Sequence, residues 1–229
     1  MQERLFDDDA FESAIAAATA RVAIISQGKN LVRASSDGSG HFEAVFLSAA
    51  EADALVDDPG SVSVSLGSYG GADYFACDIS HLADFEPPSG TAFEQLRSVG
   101  GALGRDEDAG LLAVARGMAV WHRSVRCCQS CGSKDMAPAK AGSMRRCGAC
   151  GAGAYPRIDP SVIVLVTACD GELALLGRKA NWPEGRYSTL AGFCEVGESL
   201  EETVVREVCS TLAESVPLPP AAVPECVLM

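Results

Sequence analysis

Gly192-Phe-Cys-Glu-Val-Gly-Glu198-Ser-Leu-Glu-Glu-Thr-Val-Val-Arg206-Glu207-Val208 is the stretch from which the fold of this chain is read. Gly192 to Gly197 reads as a loop. Ser199, with Glu202 three residues on, reads as a capping box that opens a helix. Leu200, Val204 and Val208 recur at i, i+4 and i+8 and give that helix one apolar stripe. Arg206 can pair with Glu198 at the loop–helix junction, while Glu207 points elsewhere. A carboxylate beside a glycine-lined loop, with such a pair bracing it, can hold Mg2+ against a diphosphate. The competing reading is the solvated acidic face of an ordinary helix.

Upstream, five of the ten cysteines (Cys127, Cys128, Cys131, Cys147, Cys150) fall within 24 residues. Cys128-x2-Cys131 and Cys147-x2-Cys150, fifteen residues apart, have the spacing of a zinc ribbon closed on four thiolates. Such a site has no open position, so one structural Zn2+ per chain would fold the protein rather than catalyse. Gly132 and Gly148 fall where the knuckles call for a positive backbone dihedral, and Cys127 is spare. Reduced core cysteines are the alternative. Charge reverses in the same region. Arg126, Lys134, Lys140, Arg145, Arg146 and Arg157 outweigh Asp135 and Asp159 by +4, in a chain of net charge −13. The remainder, at −17, would repel nucleic acid as a whole. The basic ribbon either receives a small anion such as a nucleotide or simply keeps the module soluble.

Before the ribbon the chain reads as mixed α/β. Residues 21–26, 43–47, 62–66 and 74–79 are strand-like, and 93–99 and 110–123 helical. In the second helix Leu111, Leu112, Ala115, Met118, Ala119 and His122 form a buried stripe; Trp121 and His122 read as packing and capping residues. After the ribbon, 161–167 reads as a buried strand, Asp170-Gly171 as a hairpin turn and 172–177 as the returning strand. With 229 residues, 48% apolar and 21% charged, the chain has a core to bury and is not of the disordered class. No apolar run reaches about 18 residues, the length of a membrane span. The N-terminus is not a signal peptide, and Val227-Leu228-Met229 is no peroxisomal address. The expectation is a soluble intracellular protein, cytoplasmic or organellar.

The pattern Gly-x5-Glu-x7-Arg-Glu-hydrophobic resembles the first two-thirds of the Nudix box. Its surroundings resemble the NADH pyrophosphatase branch of that superfamily: Phe93-x-x-Leu-Arg97, Ala115-Arg116, Trp121-His122, the four-Cys ribbon, Tyr155-Pro-Arg-Ile-Asp-Pro-x-Val-Ile and Leu190-Ala-Gly-Phe-x-Glu-x-Gly-Glu, over about residues 20 to 208. The resemblance implies an α+β / α/β fold in three parts. These are an N-terminal NADH-pyrophosphatase-like domain (1–124), the zinc ribbon (125–154) and a Nudix α/β/α sandwich (155–229). It implies Mg2+- or Mn2+-dependent hydrolysis of NAD(H) to AMP and nicotinamide mononucleotide, in a homodimer, with NAD-capped RNA as a related substrate. Carried over by motif, the Ala191 carbonyl and the Glu207 carboxylate would bind the catalytic metal, and Glu198 and Arg206 would brace the loop. Tyr155 would contact substrate by stacking, the alternative being an aromatic facing the core. Arg97 is a candidate for the same job.

The chain also departs from the pattern. The box continues with Glu-Glu-x-Gly, where this sequence has Ser210, Thr211 and Ala213. Neutral hydroxyls hold a divalent cation poorly. Glu214, one turn beyond Thr211, could substitute only after a shift of about 5 Å. From about residue 209 the sequence diverges, and Pro217-Leu-Pro-Pro220-Ala-Ala-Val-Pro224 reads as an extended tail. The expectation is therefore an incomplete sandwich, cut within its catalytic helix. The alternative to a hydrolase is an inactive truncated isoform that keeps its zinc-dependent fold for dimerisation or nucleotide binding. In either case the strands from Val162 and Glu172 should leave free edges and apolar surface.

Overall fold

An apolar, β-branched run such as Arg21-Val-Ala-Ile-Ile-Ser26 is stable as a strand when both its faces are covered. The computed structural model, which describes residues 7–36 and 38–215 (side chains to 212), has that arrangement. The chain divides into two compact units, Met1–Pro156 and Arg157–Met229. The first unit opens with α1 (Asp8–Ile15), β1 (Arg21–Ser26), β2 (Lys29–Ala34), β3 (Phe42–Ala44), β4 (Phe46–Ser48), α2 (Ala49–Val56), β5 (Val62–Tyr69), β6 (Ala72–Asp78), β7 (Ala92–Glu94), α3 (Leu96–Val99) and α4 (Asp106–Ser124). The seven strands form one sheet of central order β3-β2-β1-β6-β5, with β4 added to β1 and β7 to β2. Only β1 and β6 run parallel. Strand alternation sorts the core. Val22 and Ile24 pack with Ile15 of α1 and Ala52 of α2, while Ala23 and Ile25 face Leu112, Ala115 and Ala119 of α4. All six residues of the expected stripe on α4 are buried.

Two local expectations are corrected. The run 43–47 is not one strand. It breaks at Val45, whose N–H reaches Leu31 O, so that β3 pairs with β2 and β4 with β1. Residues 93–99 are not all helix either: Phe93 lies in β7 opposite Leu31, and helix starts at Leu96. There the free edge of β2 outweighs local propensity.

The ribbon belongs to the same unit. Strands β8 (Met136–Ala139), β9 (Met144–Cys147) and β10 (Gly153–Ala154) form an antiparallel sheet. Its turn docks on the N-terminal sheet. Lys140, Ala141 and Gly142 have φ of 51°, 53° and 77°, and Ala141 and Gly142 are buried. Ala141 O accepts from Ser65 N (3.0 Å), and Ala141 N donates to Asp8 Oδ1 (2.6 Å). His122 Nε2 donates to Gly142 O (2.7 Å), which leaves Nδ1 to accept from Arg145 (3.4 Å). His122 is thus a packing residue, and its burial presses the imidazole down to about 4.

The second unit carries β11 (Ser161–Val164), β12 (Val166–Thr167), β13 (Ala174–Leu175), β14 (Leu190–Phe193) and α5 (Leu200–Ser215). β11 pairs with β14 and β12 with β13, both antiparallel, and α5 packs on β11 and β14. Residues 161–167 were expected to form one buried strand. Instead they split between two short ladders, with Val162 buried but Ile163 78% exposed. The Asp170-Gly171 turn forms, with φ +76° at Gly171, but the returning strand shrinks to β13. Gly192 lies in β14 rather than in a loop. The expected tail, Pro217 to Pro224, and the side chain of Glu214 lie outside the described residues. No helix among the described residues is long and apolar enough to cross a membrane.

Candidate functional site

β14 ends at Phe193, and the turn after it, with Gly197 at φ +93°, leads into α5. The capping box forms as its residue types demand. Ser199 N donates to Glu202 Oε2 (2.8 Å), and Glu202 N donates to Ser199 Oγ (3.2 Å). Two turns into the helix, Arg206 reaches back over this turn. Its Nε and Nη2 donate to the two oxygens of Glu198 (2.6 and 2.8 Å), Nη2 also to Phe193 O (2.8 Å), and Nη1 to Glu207 Oε1 (2.6 Å). Glu198 accepts in addition from Glu195 N (2.9 Å) and Thr203 Oγ1 (3.0 Å). The Arg206 guanidinium, then the Glu195 N–H, hold the Glu198 carboxyl down at about 2. The same two carboxylates push Arg206 above its ordinary range.

Glu207 lies directly over Gly192, where an added Cβ would overlap its carboxylate. The glycine is needed for close approach, and its φ is not positive. Glu207 Oε1 is taken by Arg206, and Oε2 has no hydrogen-bond partner among the described residues. The ladder register fixes the neighbouring backbone. Cys194 N donates to Pro160 O (3.0 Å), so hydrogen-bonded pairs fall at 162/192 and 164/190. The carbonyls of Ala191 and Phe193 therefore point away from β11, to the edge of β14 where Arg206 meets Phe193 O.

Ser210 Oγ donates to Glu207 O (3.2 Å), and Thr211 is half-buried. One free carboxylate oxygen and one outward carbonyl fit a divalent cation that takes its remaining ligands from substrate phosphates and water.

In the ribbon, the sulfurs of Cys128, Cys131, Cys147 and Cys150 lie within 4.8 Å of one another. Cys128 and Cys150 are 3.7 Å apart, and Cys131 and Cys147 are 3.6 Å apart. A tetrahedron with Zn–S near 2.3 Å requires about 3.8 Å between sulfurs, so the four thiols fit zinc. Backbone N–H groups of Cys131 and Ser130 lower the Cys128 thiol. Gly132 has φ +74° as expected, but Gly148 does not; the second knuckle's left-handed residue is Gly151, φ +75°. Gly151 follows Cys150 as Gly132 follows Cys131, a symmetry present in the sequence. Gly148 instead abuts Asp135, whose carbonyl accepts from its N–H (2.9 Å).

The expected substrate residues divide between the units. Tyr155, 60% exposed beside Gly153, and Arg97, exposed on α3, belong to the first unit; Glu198, Arg206, Glu207 and Ala191 belong to the second. Tyr155 does not face a core. On α5, Leu200 is exposed while Thr203 is fully buried, so the expected stripe is wrong at its first position. Thr203 was missed as a partner of Glu198. Phe193, 68% exposed next to the turn, was also missed; its position two residues before Glu195, on the opposite face from Leu190 and Gly192, was the available signal.

Residues 19–121 match the family model described as "NADH pyrophosphatase-like rudimentary NUDIX domain", and residues 157–210 match the NUDIX domain. Among curated proteins, the chain is similar to the NAD-capped RNA hydrolase NudC of Pseudomonas aeruginosa, with 46% identity over 98 residues, 43% of this chain and 34% of that protein. It is also similar to human NAD(P)H pyrophosphatase NUDT13, mitochondrial, with 43% identity over 104 residues, 44% of this chain and 28% of the relative. Human NAD-capped RNA hydrolase NUDT12 is 37% identical over 112 residues, 45% of this chain and 24% of the relative. The matches thus span about a third or less of these relatives' length.

Proposed function

The chain belongs to the Nudix superfamily, carrying its NADH pyrophosphatase-like and NUDIX domains, and from that premise we propose that it hydrolyses the diphosphate bond of NAD(H). Water adds to one phosphorus and the bridging P–O bond breaks, releasing AMP and nicotinamide mononucleotide. The observation that carries this reading is the Glu207 carboxylate, held through Oε1 by Arg206 with Oε2 left free. Glu207 Oε2 and the Ala191 carbonyl would hold Mg2+ or Mn2+, which when bound supplies positive charge to the diphosphate oxygens. Arg206 fixes the direction of Glu207, and Glu198 fixes Arg206. The exposed ring of Phe193 offers a stacking face for a base, as Tyr155 does in its own unit, and Arg97 offers a cation there. One Zn2+ on Cys128, Cys131, Cys147 and Cys150 would have a structural role. The relatives' names support a dinucleotide substrate, free or as the cap of an RNA. An intracellular compartment and a homodimer complete the proposal.

The neutral Ser210 and Thr211 support a second reading, binding of the nucleotide without turnover. Incubation of the full chain with NADH and Mg2+ or Mn2+, with products separated by chromatography, tests the first. Equimolar AMP and reduced nicotinamide mononucleotide are expected. NADH binding measured by its fluorescence, with no product, would favour the second.

A further inference from the structure

A cavity of about 430 Å3 lies within the first unit, between the ends of α1 and α2, the outer strand β5 and Pro138 of the ribbon. Phe11, Ile15 and Val56 give it an apolar lining. Its charged residues are all of one sign: Glu12 from α1, Asp53 and Asp57 from α2. None of these carboxylates has a hydrogen-bond or ion-pair partner among the described residues, and no described lysine, arginine or histidine lines the space. The backbone adds to this polarity. Both helices end at the cavity, α1 through Ile15 and Ala16 and α2 through Val56 and Asp57, and neither has a basic residue in its last turn. A helix C-terminus carries partial negative charge, so Asp53 and Asp57 stand where a cation would normally be favoured. The inner wall is polar but neutral. Ser61 Oγ and Ser63 Oγ are buried with no hydrogen-bond partner among the described residues. Beside them Cys77 stays a thiol, pushed up to about 11 by its burial, and donates to Leu55 O (3.5 Å).

An unmatched negative mouth over an apolar lining fits a cation with a hydrocarbon body. A metal ion would gain nothing from Phe11 or Val56 and needs oxygen ligands on all sides. Asp53 and Asp57 lie one helical turn apart, about 6 Å along the axis, a spacing that ammonium groups joined by a short alkyl linker can match. The linker can lie on apolar surface while its charged ends stay at the mouth, as lysine stems do. We propose that this cavity binds a linear alkyl polyamine, its ammonium groups on Glu12, Asp53 and Asp57 and its methylenes over Phe11, Ile15 and Val56. The proposal does not rest on the hydrolase reading.

The test titrates spermidine into the full chain by calorimetry at two ionic strengths, with melting curves taken in its presence and absence. The wild type should bind a single spermidine, more weakly at high salt, and melt higher when it is bound. Asp53→Asn with Asp57→Asn should raise the Kd about fivefold or more. Without ligand that variant should melt no lower than the wild type, since it relieves two carboxylates at a helix end, yet it should lose most of the rise with spermidine. Ala16→Phe, which fills the mouth and leaves every charge in place, should also weaken binding. Glu172→Gln with Glu184→Gln, which removes the same charge from the second unit, should not. Equal weakening by that control pair would overturn the proposal, because a chain of net charge −13 also attracts polyamines diffusely. So would no binding by the wild type, an unchanged Kd in Asp53→Asn with Asp57→Asn, or displacement of spermidine by an equal concentration of Mg2+, which would make this a metal site.

Discussion

Glu198 spends both its oxygens on bracing, whereas Glu207 keeps one without a partner among the described residues, and the difference comes from Arg206 lying between them. This pair was legible from the eight-residue spacing that returns an arginine to the loop–helix junction. Thr203 was not, because nothing local marks which hydroxyl on an acidic helix will be buried. Its Oγ1 lies 3.0 Å from Glu198 Oε2 and 2.9 Å from Ser199 O. Thr203→Val keeps the shape and removes the donor, so it should cost about 1 kcal/mol in urea unfolding. It should also weaken Mn2+ binding, measured by electron paramagnetic resonance. The opposite change is available at Ser210 and Thr211. Ser210→Glu with Thr211→Glu adds the missing carboxylates, and the same measurement should show about tenfold or more tighter Mn2+ binding. Unaltered affinity in that variant would remove the divalent site from this face of α5.

Among the elements, the ribbon was legible in its ligands and opaque in its attachment. Cys-x2-Cys spacing reports local geometry, but the turn at 140–143 is fixed by residues more than 70 positions away, in β5. There, a Cβ on Gly142 would come within 2.5 Å of Ser63 O. His122 joins helix α4 to this turn, and its pH dependence follows. Burial holds the folded imidazole at about 4, below its ordinary 6.5, so between these values the unfolded chain takes up a proton that the folded one refuses. Stability is complete above pH 6.5 and falls as pH drops toward 4, by on the order of 3 kcal/mol. His122→Gln can still donate to Gly142 O but does not titrate. Urea midpoints of the two proteins, compared from pH 7 to 5, should therefore diverge, with the wild type the steeper; zinc loss in acid is common to both. Parallel profiles would contradict the buried neutral histidine. Likewise the strand–helix misreading at 93–99 arose because the edge of β2, which captures Phe93, is a feature of the assembled sheet.

At the scale of the whole molecule, the two units differ in how fully they bury their apolar residues. The first encloses a sheet between α1, α2 and α4; the second leaves Ile163 and Phe193 exposed on a short ladder and Leu165 and Leu173 exposed next to strands β12 and β13. The sequence carried the apolar run at 161–167 clearly, but burial depends on neighbours that a single strand does not encode. Such a surface favours association, so sedimentation coefficients should rise with protein concentration across the micromolar range, and fall back when Ile163 and Leu165 are replaced by Thr. The central claim concerns chemistry, and one comparison tests it most directly: the rate of AMP release from NADH by the full chain and by its Glu207→Gln variant, across a Mn2+ titration. The account predicts metal-dependent release by the wild-type chain, lowered at least about a hundredfold in the variant. Equal rates in the two proteins, or no release by the wild type at any Mn2+ concentration, would contradict it.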